Sequence, residues 1–324
     1  MRLGVVGLGI IWRTVHFPIL NELNKHFTIT ALCASSEDSL LPWREKYSSA
    51  RAYTDYRDLV HDADVDAVLV ATPINLNAQV ASAALSAGKH VFLEKPIATS
   101  YQMAAELRAV EERTGKSIFL LEQAIYHPQI PVIKNIIDTG KIGKLVSYER
   151  VSHSSIDNAG PYADSAWRLK GDFPLGLILD SGFHDMALLM SIFGQPRSIY
   201  SLGAQLRPGM GEYDYVLSVL AYENGVSGTF SHSGYICNKN YFIVRGTEGA
   251  IYDEGDKLVI ESKTGDCEEI CTPMPDLYKQ MWLHLAEISA SGETPLFTAK
   301  DATELMKVFD AMGRSIKNEI VERI

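Results

Sequence analysis

The stretch Leu3-Gly4-Val5-Val6-Gly7-Leu8-Gly9-Ile10-Ile11-Trp12 is a short apolar run that ends in two closely spaced glycines. Such a run fits a strand buried on both faces. Gly7 allows a tight turn after it, Gly9 lets backbone approach a ligand, and the residues that follow open a helix whose free N–H groups favour an anion. Trp12 stands where a dinucleotide-binding turn usually carries its third glycine. Two glycines alone are weak, because an unliganded Gly-rich turn reads the same way. The weight comes from what surrounds them.

Outward from that turn, the chain alternates strand-like and helix-like segments. Residues 3–6, 27–33, 67–71, 90–93 and 117–121 read as apolar strands. Residues 77–87, closed by Gly88, and 101–114, closed by Gly115, read as helices. This is the pattern of βαβ units forming a parallel sheet with both faces covered. After Glu122 the pattern changes. A helix at 130–139 leads to a strand at 144–153, and further strands are predicted at 198–206, 213–222, 225–234, 240–246, 250–254 and 257–261. Turn residues at Glu223-Asn224-Gly225 and Glu254-Gly255-Asp256 mark hairpins. The expected organisation is a dinucleotide-binding domain over 1–122 and a second domain over 123–324. The second is α+β, with a large, mostly antiparallel open sheet and a final helix at about 298–318 whose apolar stripe is Ala302, Leu305, Met306, Phe309, Met312 and Ile316.

A length of 324 residues suits two domains. With 30 Lys and Arg against 40 Asp and Glu, the net charge is −10 and the sequence pI about 5.4, which argues against nucleic acid as the main partner. No apolar run approaches the ~18 residues of a membrane helix, and no signal peptide is evident, so a cytoplasmic protein without membrane association is expected. The four cysteines, Cys33, Cys237, Cys267 and Cys271, are too few and scattered for a disulfide framework. Cys267 and Cys271 lack nearby His partners, so no metal site is expected.

Three further sets carry chemistry. At the end of the second strand, where an acid would bond a ribose 2′-hydroxyl, the chain reads Cys33-Ala34-Ser35-Ser36, with Glu37 and Asp38 just beyond. Neutral hydroxyls there leave room for a 2′-phosphate, with Arg13 or Arg44 as its cation, so NADP is preferred to NAD. Glu94-Lys95-Pro96 ends the strand at 90–93, placing a lysine outside the carboxyl end of a parallel strand with a proline to fix its backbone. In Asp180-Ser181-Gly182-Phe183-His184, a helix would set the carboxylate and the imidazole on one face, so that the one can orient the other. Taken singly, a surface lysine and a capping or packing histidine are the commoner fates of such residues.

Together with Tyr53-Thr54-Asp55-Tyr56, Leu59, Val65-Asp66-Ala67-Val68, Ala71-Thr72-Pro73, Ala87-Gly88-Lys89-His90-Val91 and Trp167-Arg168, these sets make the chain resemble the Gfo/Idh/MocA family of nicotinamide-dependent oxidoreductases nearly end to end. The resemblance implies an N-terminal Rossmann domain and a C-terminal domain whose open sheet packs against another subunit, giving a homodimer or homotetramer. It implies that Lys95, His184 and Asp180 are catalytic. The dinucleotide is expected on Gly7, Gly9, Ile10, Ile11, Trp12, Ser35, Ser36, Thr72, Pro73, Asn77, Glu94 and Lys95, and substrate on Tyr126, His153, Tyr162, Trp167 and Arg168. The chain departs from the family at Trp12, at Asn77 where histidine is usual, at Pro174-Leu175-Gly176 in place of a glycine triplet, and at Ala187 where a second aspartate is common.

The activity so implied is hydride transfer between a nicotinamide and a secondary alcohol or ketone on a sugar, cyclitol or related polyol. A dinucleotide- or sugar-sensing protein of the same fold is the rival from another class, and the intact Lys95, Asp180 and His184 set argues against it, since a sensor needs no proton relay. A reductase or dehydrogenase of a non-sugar substrate, such as a tetrapyrrole or a trans-dihydrodiol, is the rival among enzymes.

Overall fold

The computed structural model describes residues 1–155, 160–162, 165–209 and 211–324. They form two compact units, one of Met1–Glu122 with Tyr278–Met306, the other of Gln123–Leu277 with Lys307–Ile324.

The first unit is built on β1 (Arg2–Val6), α1 (Phe17–Glu22), β2 (Thr28–Cys33), α2 (Glu37–Lys46), β3 (Arg51–Tyr53), α3 (Tyr56–Val60), β4 (Ala67–Val70), α4 (Ile74–Ser86), β5 (His90–Glu94), α5 (Tyr101–Thr114) and β6 (Ile118–Leu121). Its six strands are all parallel, in the order β3-β2-β1-β4-β5-β6. This is the Rossmann arrangement, with the reversal of strand order between β1 and β4, the place where open α/β sheets bind ligands outside the carboxyl ends of their strands. β4 and β6 are buried along their whole length, as a sheet covered on both faces requires. α5 has its predicted bounds because both ends are punctuated. The Ser100 hydroxyl accepts from the Met103 N–H, and Gly115 closes the helix in the left-handed region.

The second unit contains α6 (Gln129–Asp138), β7 (Leu145–Ser155), α7 (Ala166–Lys170), α8 (Leu177–Phe193), β8 (Ser198–Ala204), β9 (Tyr215–Ala221), β10 (Ser227–Ser233), β11 (Tyr235–Gly246), β12 (Gly249–Asp253), β13 (Lys257–Ser262) and β14 (Cys267–Cys271). With β15 (Glu322–Arg323) they make a nine-stranded sheet in the order β14-β13-β12-β11-β7-β10-β9-β8-β15, antiparallel except between β7 and β10. α8 lies against this sheet. The Ser181 hydroxyl meets His232 Nε2 on β10 at 2.7 Å, and Gly182 sits beside the rings of Phe230 and His232.

The segment after β14 corrects the expected domain division. Residues 278–306, predicted to belong to the second domain, pack with the first. α9 (Leu277–Ser291) buries Met281, Trp282, Leu285 and Ile288, a helical stripe. The indole of Trp282 lies 5.5 Å from the ring of Phe27 and 5.3 Å from that of Phe92, which stacks on Phe119. α9 thus covers an aromatic face of the parallel sheet that its own βαβ helices leave open. α10 (Ala299–Asn318) divides between the units. In the second, Phe309 stacks parallel to Phe183 of α8 at 6.1 Å. No helix among the described residues is long and apolar enough to cross a membrane.

Candidate active site

The glycine turn has the geometry a dinucleotide needs. Gly7 adopts φ 100°, and a Cβ there would strike the carbonyl oxygen of Ala71 at the end of β4. Its N–H donates to Cys33 O at 3.0 Å, tying the turn to the end of β2 as well. At Gly9 an added Cβ would meet nothing within 4 Å, so the backbone faces open space. Helical backbone begins at Ile10, so the first N–H groups of the helix have no intrahelical partner. These features fit a pyrophosphate.

Trp12 does not line that space, contrary to expectation. It is fully buried, 5.4 Å from Trp43 of α2 and 5.9 Å from Phe17, ring to ring. The indole fills the gap between the helical turn and α2, and its Nε1 has no hydrogen-bond partner among the described residues. Asn77 is likewise withdrawn. Completely buried, it donates through Nδ2 to Glu94 O at 2.9 Å and Pro96 O at 3.0 Å, and its Oδ1 accepts from the Thr72 hydroxyl at 2.9 Å. With every bond directed into the protein, Asn77 acts by stapling the Thr72-Pro73 turn to the Glu94-Lys95-Pro96 turn, whose Lys95–Pro96 peptide is cis.

Glu94 is buried too. Its Oε2 accepts from the Lys95 N–H at 3.1 Å and its Oε1 meets His16 Nε2 at 2.8 Å, while Trp282 Nε1 donates to His16 Nδ1 at 3.1 Å. At the tip of β2, Ser36 caps α2 by accepting from the Ser39 N–H, Arg44 pairs with Glu37 at 2.8 Å, and Arg13 Nε donates to Gly9 O at 3.3 Å. Burial, with Asp55 and Asp58 nearby, pushes the Cys33 thiol up to about 12, so it carries no charge at neutral pH.

In the second unit four of the predicted residues form one cluster, and three others are placed separately. Asp180, in the first turn of α8, accepts from Arg168 Nε at 2.6 Å. That guanidinium also donates to the Ser165 hydroxyl and lies 4.2 Å from the ring of Trp167 and 5.2 Å from that of Tyr162. Asp180, Arg168, Trp167 and Tyr162 are therefore brought together. Tyr126 lies on a short 3-10 turn, Gln123–Tyr126, and burial pushes its phenol far above the ordinary range. His153 is an outlier. It bonds the Ser231 hydroxyl at 2.8 Å on the sheet face opposite to the one that carries His232 and receives α8, because neighbouring residues of a strand point to opposite faces. His153 is thus removed from Asp180 and His184.

His184 lines a pocket of about 150 Å³ together with Gln123, His127, Arg150, Asp185 and Asp253. The Gln123 amide nitrogen lies 3.4 Å from Nδ1 of the ring and 3.5 Å from Nε2, and Gln123 Oε1 is buried without a hydrogen-bond partner among the described residues. Beneath His184, Asp185 receives Arg150 Nε at 2.7 Å and meets His232 Nδ1 at 3.1 Å. Sequence reasoning missed Gln123, Arg150, Asp185 and His232. Only Asp185, adjoining His184, carried any signal.

Burial alone would raise the Asp185 pKa, but the Arg150 guanidinium and the bond from His232 outweigh it and hold the carboxyl far below its ordinary value. With the folded value depressed, the stabilisation is complete above the unfolded pKa of about 4 and is lost as pH falls below it. Arg150→Ala should cost about 3 kcal/mol at neutral pH by leaving the carboxylate short of its guanidinium. Urea titrations of both proteins at neutral pH and through the acid limb check this, with acid unfolding of the variant expected at higher pH.

Comparison with known proteins matches residues 1–121 to the model of an oxidoreductase family with an NAD-binding Rossmann fold, and residues 131–252 to the GFO/IDH/MocA C-terminal domain. The uncharacterized oxidoreductase YrbE of Bacillus subtilis is 27% identical over 97% of this chain and 93% of its own. A myo-inositol 2-dehydrogenase of Thermotoga maritima is 29% identical over 82% of this chain and 80% of its own. The crystal structure of an oxidoreductase from Thermotoga maritima, 27% identical, superposes with a TM-score of 0.92 over 100% of this chain and 98% of that one.

Proposed function

The chain belongs to the Gfo/Idh/MocA family of NAD(P)-dependent oxidoreductases, and we propose that it interconverts a secondary alcohol and a ketone on a cyclitol, sugar or related polyol. The observation that carries this is the Lys95 turn. It leaves the carboxyl end of β5, next to β4 at the strand-order reversal, with its backbone held by Asn77 on either side and by the Glu94 carboxylate at its centre.

When bound, the nicotinamide supplies the hydride chemistry. Lys95 donates a hydrogen bond to the reacting oxygen and favours the negative charge that grows there. His184 takes the hydroxyl proton in oxidation and returns it in reduction. Asp180, with Arg168 as its partner, bonds a neighbouring hydroxyl. The class of substrate is supported by the inositol dehydrogenase among the relatives and by the Arg168, Trp167 and Tyr162 group, which offers aromatic faces beside polar anchors. The test is a panel of inositols, aldoses and their ketones with each dinucleotide, followed by the absorbance of the reduced nicotinamide. Turnover of a non-polyol carbonyl with none of any hydroxylated ring would overturn the reading.

NADP is the proposed preference. No carboxylate ends β2, Cys33 is uncharged, and the Arg44–Glu37 pair is exposed on both sides, 43% and 60%, which limits it to about 0–1 kcal/mol. A 2′-phosphate can take that guanidinium. Glu37→Gln should therefore raise the NADP-over-NAD ratio of kcat/KM by a few-fold, and an unchanged ratio would place the phosphate elsewhere.

The proposed partner is a second copy of the chain on the open face of the nine-stranded sheet. Leu202 and Leu217 are register partners on β8 and β9, Val219 lies on the same face, and all three are exposed. The double substitution Leu217→Lys, Val219→Lys should convert a dimer or tetramer to monomer in sedimentation velocity.

A further inference from the structure

His16 is a buried titratable residue to which the proposed chemistry gives no task, yet it sits in a closed chain of hydrogen bonds within the first unit. Indole N–H is only a donor, so the 3.1 Å bond from Trp282 Nε1 makes His16 Nδ1 an acceptor and leaves the ring proton on Nε2. Nε2 then donates to Glu94 Oε1 at 2.8 Å, and Glu94 Oε2 accepts from the Lys95 N–H at 3.1 Å. Trp282 and His16 are fully buried and Glu94 is 7% exposed, so water offers little competition at any link. His16 also belongs to the helical run that starts at Ile10, directly after the glycine turn.

We propose that His16 is a positioning residue for Lys95. Through Glu94 it locks the turn that carries the ammonium, and it ties that turn to the segment expected to hold the pyrophosphate. Trp282 sets its tautomer. The inference rests on the role of Lys95 in the proposed reaction. Without the Nε2 donor the Glu94 carboxylate is free to rotate off the Lys95 N–H, and a displacement of the order of an ångström at a group that must meet a reacting oxygen is expensive in rate.

The test compares His16→Leu, His16→Gln and Glu94→Gln with the parent enzyme, using whichever polyol the substrate panel identifies. His16→Leu should lower kcat by roughly 10- to 100-fold while the dinucleotide dissociation constant stays within about twofold. His16→Gln, whose amide can still donate toward Glu94, should recover most of that loss. Glu94→Gln keeps the shape but cannot accept from both neighbours, so it should lower kcat at an almost unchanged melting temperature, and it decides the matter if His16→Leu fails to fold. Independently of activity, 15N NMR of the His16 ring should show the Nε2-protonated tautomer, and Trp282→Phe should disturb it.

Parent-like kcat in the folded variants beside an inactive Lys95→Ala would overturn the inference and leave the reaction assignment standing. So would loss of dinucleotide affinity in place of kcat. A fully active Lys95→Ala would remove the assignment itself.

Discussion

Lys95→Ala should lower kcat by about 10²–10³-fold, the usual consequence of removing one donor to a developing oxyanion. The expectation follows from how the side chain is presented. Asn77 is fully buried and bonds the carbonyls of Glu94 and Pro96, so the turn stays in place when the lysine is truncated. The glycine turn and its open space at Gly9 involve other residues, so the dinucleotide, which loses only its expected contact with the lysine, should keep most of its affinity. Single-turnover hydride transfer measured beside equilibrium dinucleotide binding separates the two. Lys95→Arg should restore the charge without restoring the rate, because a planar guanidinium cannot take the place of a compact ammonium at a fixed point. Normal turnover in Lys95→Ala would sink the assignment.

His184→Ala should cost about 10²–10⁴-fold in kcat/KM, the range in which a positioned acid or base contributes. The helix around it is secured from below by Asp185, Arg150 and His232, so deleting the imidazole should leave the fold standing. The ring already borders a pocket of about 150 Å³, and its removal enlarges that space. Imidazole added to the solution should enter it and return part of the activity, saturating with concentration. Absence of rescue, together with a loss confined to KM, would make His184 a substrate contact and move the proton transfer to another group.

Residues that punctuate were the ones that could be read in advance. Ser100 and Gly115 bracket α5, and the buried apolar runs of β4 to β6 announce a parallel sheet because each lies within one continuous segment. β3 has three residues, and β14 is exposed along most of its length, so neither has a hydrophobic period to detect. Among the proposed catalytic residues, Lys95, Asp180 and His184 stand in recognisable motifs. The environment that gives each residue its task comes from elsewhere in the chain. Asn77 looked like a ligand contact because of its place after Thr72-Pro73, but only the structure shows its amide turned inward. Trp282 lies 266 positions from His16, and an amphipathic helix such as α9 carries no mark of which apolar face it will cover. Trp12 gave no clue to the size of the gap that it fills between the first helical run and α2.

The return of residues 278–306 to the first unit bears on the order in which the molecule can be made. The first 122 residues leave the ribosome with all six parallel strands but without Trp282, so Phe27, Phe92 and the Nδ1 of His16 lack the indole that packs on them until the segment after β14 has been synthesised. At about 5–20 residues per second that interval is on the order of ten seconds or more. During it the nascent dinucleotide-binding half lacks the Trp282 side of its aromatic packing. Completion of that packing therefore follows translation of most of the second unit.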